Sequence, residues 1–143
     1  MDLTINVENV ILNIKVNVII KTVGGVLLEK HENKSYLFLV GGRMKAGESS
    51  LEAVHREVIE ETGIKLKNAK FLTVIENFFD VKEGAFQEIS FLYEGELESE
   101  FVSAPGIIAI PESEIADLNI RPNIMKEILL NKSEQTNYIV KGV

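Results

Sequence analysis

Between Ile14 and Lys21 the chain alternates in character: Ile14, Val16, Val18 and Ile20 are spaced by Lys15 and Asn17, with Lys21 closing the run. A period of two predicts a β-strand with one face buried. Val26-Leu27-Leu28 and Tyr36-Leu37-Phe38-Leu39-Val40 read as two further strands, set off by the turn formers Gly24-Gly25 and by His31-Glu32-Asn33-Lys34. The period then changes. Ser49 followed by Glu52 has the spacing of a capping box, which satisfies two free N–H groups at a helix start. Leu51, Val54 and Val58 form an apolar stripe behind it, and Gly63 is placed to end the helix in a left-handed conformation.

Strand patterning resumes at Phe71–Ile75 and again where Gln87, Ile89, Phe91 and Tyr93 share one face. Glu94 to Gly106 reads as an acid-rich loop, Ile107–Ile110 as a short strand, and Glu112 and Glu114 after Pro111 as a helix start. Pro122 at a first helical position precedes a second amphipathic helix carrying Ile124, Met125, Ile128 and Leu129. Strands on both sides of one long helix, plus a late helix, predict an α/β (α+β) architecture: a mixed β-sheet sandwiched between helices, α/β/α.

Composition narrows the reading without redirecting it. The chain has 143 residues, no repeat and no linker-like tract, so residues 1–143 are expected to form one domain. No apolar run approaches the ~18 residues of a membrane span, and Met1-Asp2-Leu3-Thr4 lacks the basic start of a secretory signal, so a cytoplasmic protein without a membrane partner is expected. With no cysteine, disulfides, thiolate metal sites and a cysteine nucleophile are excluded. A net charge of −7 argues against a stable nucleic-acid partner. It still allows a small phosphorylated substrate, provided divalent cations stand between carboxylates and phosphates.

Candidate chemistry is concentrated between Gly42 and Ile64. On a helix turning about 100° per residue, Glu57 and Glu61 lie about 40° apart, with Glu60 about 60° to the other side of Glu57. Three carboxylates therefore share one sector, where like charges at these spacings repel by about 0.2–0.5 kcal/mol per pair. Hard cations would relieve that repulsion, and an all-oxygen donor set favours Mg²⁺ or Mn²⁺ over zinc. Arg56 beside the acids suits bidentate pairing with a carboxylate. Glu48 reads as a supporting acid, either a helix-start orienter or a distant metal contact. Gly41 and Gly42 suggest a tight loop whose backbone can approach a metal or a phosphate closely.

Taken together, Gly42, Glu48, Arg56-Glu57-Val58-Ile59-Glu60-Glu61-Thr62-Gly63-Ile64 resemble the signature of the Nudix hydrolase family, G-x5-E-x7-R-E-U-x-E-E-x-G-U with U aliphatic, and every fixed position matches. The resemblance implies a hydrolase that splits a nucleoside diphosphate linked to another group, by water attack at phosphorus with divalent cations bound. It implies Glu57, Glu60 and Glu61 as metal ligands and catalytic acids, with Glu60 sharing in water activation and Arg56 orienting them. Family members often recruit one more acid outside the signature. Glu88 ranks first for that role, ahead of Glu98 and Glu100.

Several other features are weighed beside that set. His31 in a polar turn and His55 beside the apolar stripe are set aside as general bases, and Phe78 and Phe79 read as core more than as a stacking platform. Relatives often carry proline where this chain has Val40, which makes the entry to the glycine loop less rigid. The stretch Asn77-Phe78-Phe79-Asp80 lacks both the proline resembling ADP-ribose hydrolases and the tyrosine resembling dinucleoside-polyphosphate hydrolases, leaving a nucleoside triphosphate or a nucleotide sugar. Two alternatives stay open: a catalytically silent nucleotide-binding or regulatory module, and a hydrolase of RNA 5′ ends. Many members are dimers, so a homodimer stays open too.

Overall fold

A computed structural model describes residues 1–82, 84–130 and 138–142. Eight strands, β1 (Thr4–Val7), β2 (Val10–Thr22), β3 (Gly25–Lys30), β4 (Leu37–Arg43), β5 (Leu66–Val81), β6 (Gly84–Leu97), β7 (Ile107–Ile110) and β8 (Tyr138–Gly142), join one sheet. Helix α1 spans Ser50–Thr62 and α2 spans Asn123–Leu130, with a 3₁₀ turn at Glu112–Asp117 between β7 and α2. The strands run in the order β7-β3-β4-β2-β6-β5-β8, and β1 pairs with the start of β2. The β2–β6 and β5–β8 pairs are parallel and the others antiparallel, so the sheet is mixed as predicted.

The central strand departs from its one-sided expectation. Val16, Val18 and Ile20 pack under α1 with Val54 and Val58, while Ile19 on the opposite face joins Leu92, Ile75, Ile115, Met125 and Leu129 under α2. Both faces of β2 are therefore covered, and the polar residues between the apolar ones are not solvated spacers. Asn13 and Asn17 are buried. Polar groups removed from water need hydrogen-bond partners, and the partners these two find define the cleft described below.

Helix α1 begins and ends where the sequence places it. Ser49 accepts from the Glu52 N–H, the Glu52 side chain returns to the Ser49 N–H, and Gly63 closes the helix at φ 77°. Its buried face is made by Ala53, Val54 and Val58, whereas Leu51 is 44% exposed. Leu51 follows the cap by two residues and sits on the solvent side, so the stripe is shifted relative to the expectation.

Other boundaries move because sheet pairing extends strands beyond their apolar runs. Glu94–Leu97, read as loop, continues β6 opposite Leu66–Lys70 of β5. Gly41 and Gly42 are likewise not in a loop: they pair with Asn17 and Val16 and carry β4 through to Arg43. Val40 is fully buried opposite Val18 as an ordinary strand residue, so no loop entry exists there for a proline to stiffen. Replacing Ser49 with alanine should lower stability by about 1 kcal/mol through loss of the cap, read as a lower urea midpoint with an unchanged slope. An unchanged midpoint would show that the box contributes nothing.

Candidate active site

The site is assembled where the end of β4 meets α1. At Gly42 a Cβ would come 2.5 Å from Glu57 Oε1 and 2.8 Å from its Oε2, so the carboxylate occupies the space that any other residue would fill. At Gly41 a Cβ would collide with the Val16 carbonyl oxygen. The glycines are needed for close packing of helix carboxylate on strand backbone, which is the close approach expected of them, achieved in a strand and not in a turn.

Arg56 fixes the acids around this contact. Its Nε donates to Glu48 Oε2 at 2.6 Å and Nη2 to Glu48 Oε1 at 2.9 Å, a bidentate fork. Nη1 donates to Glu57 Oε1 at 2.8 Å and to Glu60 Oε2 at 3.2 Å, and Nη2 also donates to the Arg43 carbonyl at 3.0 Å. All five N–H donors of the guanidinium are thereby engaged. Glu48 is thus the main partner of Arg56, and the pairing holds its carboxyl down at about 2.

The three helix acids are not equivalent. Glu57 is buried, and burial, opposed by Arg56, pushes its carboxyl up. Glu60 is exposed and tethered by the weaker arm of Arg56. Glu61 is half-buried, its carboxyl raised by burial and by the charge of Glu60.

A fourth acid joins them from β3. Glu29 is 9% exposed and accepts from the Gly41 N–H at 3.3 Å. Burial first, and the charge of Glu61 second, push its carboxyl up to about 7. His31 Nε2 lies 3.4 Å from its other oxygen. The sequence reading misses Glu29 and sets His31 aside. The available signal was an acid on the inward face directly after the apolar run Val26-Leu27-Leu28.

Glu88 is not brought to this cluster. It lies on β6, on the sheet face opposite α1, where it accepts from Asn13 at 3.1 Å and pairs with Lys15 at 3.8 Å. Glu98 and Glu100 are exposed beside a separate groove. Glu88 lines a cleft of about 480 Å³ that runs over the face of β2 to Gly41, Gly42 and Arg43. Phe86 lines the cleft and stacks on Phe79 at 5.0 Å, while Phe78 is 40% exposed and belongs to neither core nor cleft. His55 makes no part of the site.

Among the described residues, no three acidic or imidazole side chains form a ready-made metal cage. The donor set nevertheless fits a hard divalent cation. Glu29, Glu57 and Glu61 are all oxygen donors, and burial together with mutual repulsion disfavours their charged forms, a cost that such a cation relieves. Mg²⁺ in particular binds through one or two carboxylates and keeps water and phosphate oxygens in its remaining positions.

These charges set a pH dependence. Because Glu29 holds its proton more tightly when folded (about 7, against 4.5), the folded chain binds more protons between these values and stability falls as pH rises through them. Glu48 acts oppositely and lower down, its contribution being lost as pH falls from 4.5 toward 2. In EDTA the protein should lose on the order of 2 kcal/mol between pH 5 and 8, and Glu29→Gln should flatten that decline in urea titrations. A rise in wild-type stability over the same window would contradict the assignment.

Comparison with known proteins agrees with this geometry. The model of the NUDIX domain matches residues 12–135. Solved structures with the same fold include a mutator MutT protein from Bacillus halodurans (TM-score 0.75, 24% identity, 91% of this chain and 89% of that one). Another is a MutT protein from Methanosarcina mazei (TM-score 0.59, 22% identity, 88% and 95%). A third is the NUDIX domain of Shewanella oneidensis NrtR in complex with ADP ribose (TM-score 0.64, 16% identity, 85% and 87%). Spanning most of the chain and including every acid gathered around Arg56, the match shows that this protein belongs to the Nudix family.

Proposed function

We propose that the protein hydrolyses a phosphoanhydride bond in a small nucleotide or nucleoside diphosphate derivative, by water attack at phosphorus with Mg²⁺ or Mn²⁺ bound. The observation that carries this reading is the intact set of carboxylates pinned by Arg56 at Gly42, beside a cleft of about 480 Å³ that Gly41, Gly42 and Glu29 line. Glu57 and Glu61 would hold the cation, with the exposed Glu60 as the outer donor. A cation bound there would supply charge neutralisation and Lewis acidity at the diphosphate.

The remaining work falls to groups of the chain itself. Arg56 keeps Glu48 ionised and aims both Glu48 and Glu57, so positioning is established before substrate arrives. Glu29, with one oxygen tied to the Gly41 N–H, holds its other oxygen toward His31, where it can take the proton given up by the attacking water. Arg43 lines the cleft beside the glycines and offers positive charge to phosphate oxygens. Bound ADP ribose in the NrtR domain supports a nucleotide-derived ligand for this fold.

Nucleotide panels assayed for phosphate release, with and without alkaline phosphatase, test the reaction directly. Turnover should need Mg²⁺ or Mn²⁺, and Glu57→Gln or Glu61→Gln should lower kcat by about 100-fold or more while retaining a cooperative unfolding transition. Tight nucleotide binding without product, in the presence of metal, would overturn the enzymatic reading in favour of a binding module. Gly42→Ala should also lower turnover, since its methyl group must displace the Glu57 carboxylate. Wild-type rates in that variant would show that the contact is dispensable.

A further inference from the structure

Beyond Arg43, the floor of the cleft carries a polar arrangement that the hydrolytic chemistry does not use. Arg43 Nη1 donates to Thr4 Oγ1 at 3.0 Å, and Thr4 Oγ1 donates to Asn13 Oδ1 at 2.8 Å. Asn13 Nδ2 in turn donates to Glu88 Oε2 at 3.1 Å. The direction of the chain is forced. A guanidinium only donates and a carboxylate only accepts, so the amide of Asn13 must turn its oxygen to Thr4 and its NH₂ to Glu88. Asn17, beside them, is already committed: its Oδ1 accepts from Ser90 Oγ at 2.7 Å and its Nδ2 donates to the Leu39 carbonyl at 3.4 Å.

This leaves a definite pattern facing the cleft. Glu88 Oε1 is an acceptor whose closest cation among the described residues, Lys15 Nζ, lies 3.8 Å away, beyond hydrogen-bond distance. Among the described residues Lys15 Nζ is a donor with no tighter ion pair, and both side chains line the cleft at 16% and 24% exposure. A charged acceptor thus stands next to a charged donor. Along β2, Asn13, which pairs with Glu88, is three residues from Val16, which pairs with Gly42. At about 3.3 Å per residue this is about 10 Å, the scale that separates the phosphate of a nucleotide from the hydrogen-bonding edge of its base. Phe86 supplies an apolar ring on the same wall.

We propose that Glu88 and Lys15 read the base of the substrate and select a lactam edge, in which a ring N–H adjoins a carbonyl, as in guanine and uracil. The ring N–H donates to Glu88 Oε1 and the carbonyl accepts from Lys15 Nζ. In adenine and cytosine the corresponding ring nitrogen is an acceptor and would face the carboxylate, lone pair to lone pair. A buried polar group left without its partner is what makes such sites discriminate. Glu88 is then a specificity residue of the cleft floor and not the additional acid of the hydrolytic cluster. The inference rests on the nucleotide reading of the cleft, but it concerns base selection and is measured by binding.

The test is equilibrium binding of GMP, AMP, UMP and CMP to the full chain by calorimetry, in parallel with the turnover assays. Wild type should bind GMP over AMP, and UMP over CMP, by about tenfold or more. Glu88→Gln gives a sharper result. Asn13 Nδ2 still donates toward β6, so the new amide turns its oxygen to Asn13 and its NH₂ to the cleft, replacing an acceptor with a donor. The ratio should then fall toward one in both pairs, while Lys15→Met should weaken GMP and UMP selectively. Equal affinities in wild type, or a ratio unmoved by Glu88→Gln, would overturn the proposal even if hydrolysis proceeds. A lactam preference without turnover would sustain it and defeat the hydrolytic reading instead. Absence of any nucleotide binding would overturn both.

Discussion

The structure of the site depends on one guanidinium. Five carboxylates gathered around one helix, Glu29, Glu48, Glu57, Glu60 and Glu61, repel one another, and two of them, Glu29 and Glu57, are buried. Arg56 converts part of that liability into geometry by spending its five N–H groups on Glu48, Glu57, Glu60 and the Arg43 carbonyl. Charge-assisted bonds of this kind contribute about 1.5–3 kcal/mol each, more than the few tenths lost to each like-charge pair along the helix. A lysine would carry the same charge but could not span these partners, because its three donors radiate from one atom. The fork also ties α1 to the end of β4 through the Arg43 carbonyl, so the acids and the glycine strand are held as one unit.

That constraint explains the glycines. Once Arg56 draws Glu57 against β4, the strand can carry no side chain at Gly42 without displacing the carboxylate. Glu29 and Glu61 are the groups that Arg56 does not reach, and theirs are the acids raised by burial and neighbouring charge with no arginine contact to oppose it. The acids that the chain itself compensates least therefore lie on the side of the cluster that faces His31.

Much of this was legible in the sequence because it is local. The capping box, the glycine stop of α1 and the sharing of one helix sector by Glu57, Glu60 and Glu61 follow from spacing alone. What sequence did not show depends on pairing between distant segments. Glu29 enters the site only because β3 lies beside β4, and Glu88 leaves it only because β6 pairs with the outer stretch of β2. Asn17 holds what the alternation reads as a solvated position of an amphipathic strand, yet the second layer under α2 and the cleft floor cover that face. Gly41 and Gly42 suggest a tight loop because glycine permits close backbone approach, whereas in the fold they serve close packing in a strand.

The most direct measurement of the central claim is Mn²⁺ binding to wild type and to Arg56→Lys, followed by water-proton relaxation in the absence of nucleotide and then with it. Wild type should bind Mn²⁺ and hold it more tightly with nucleotide present. The lysine variant, shown by circular dichroism to be folded, should lose at least tenfold in affinity because Glu57 is no longer aimed. Equal Mn²⁺ affinity in the two proteins, or no uptake by either with nucleotide present, would contradict the account.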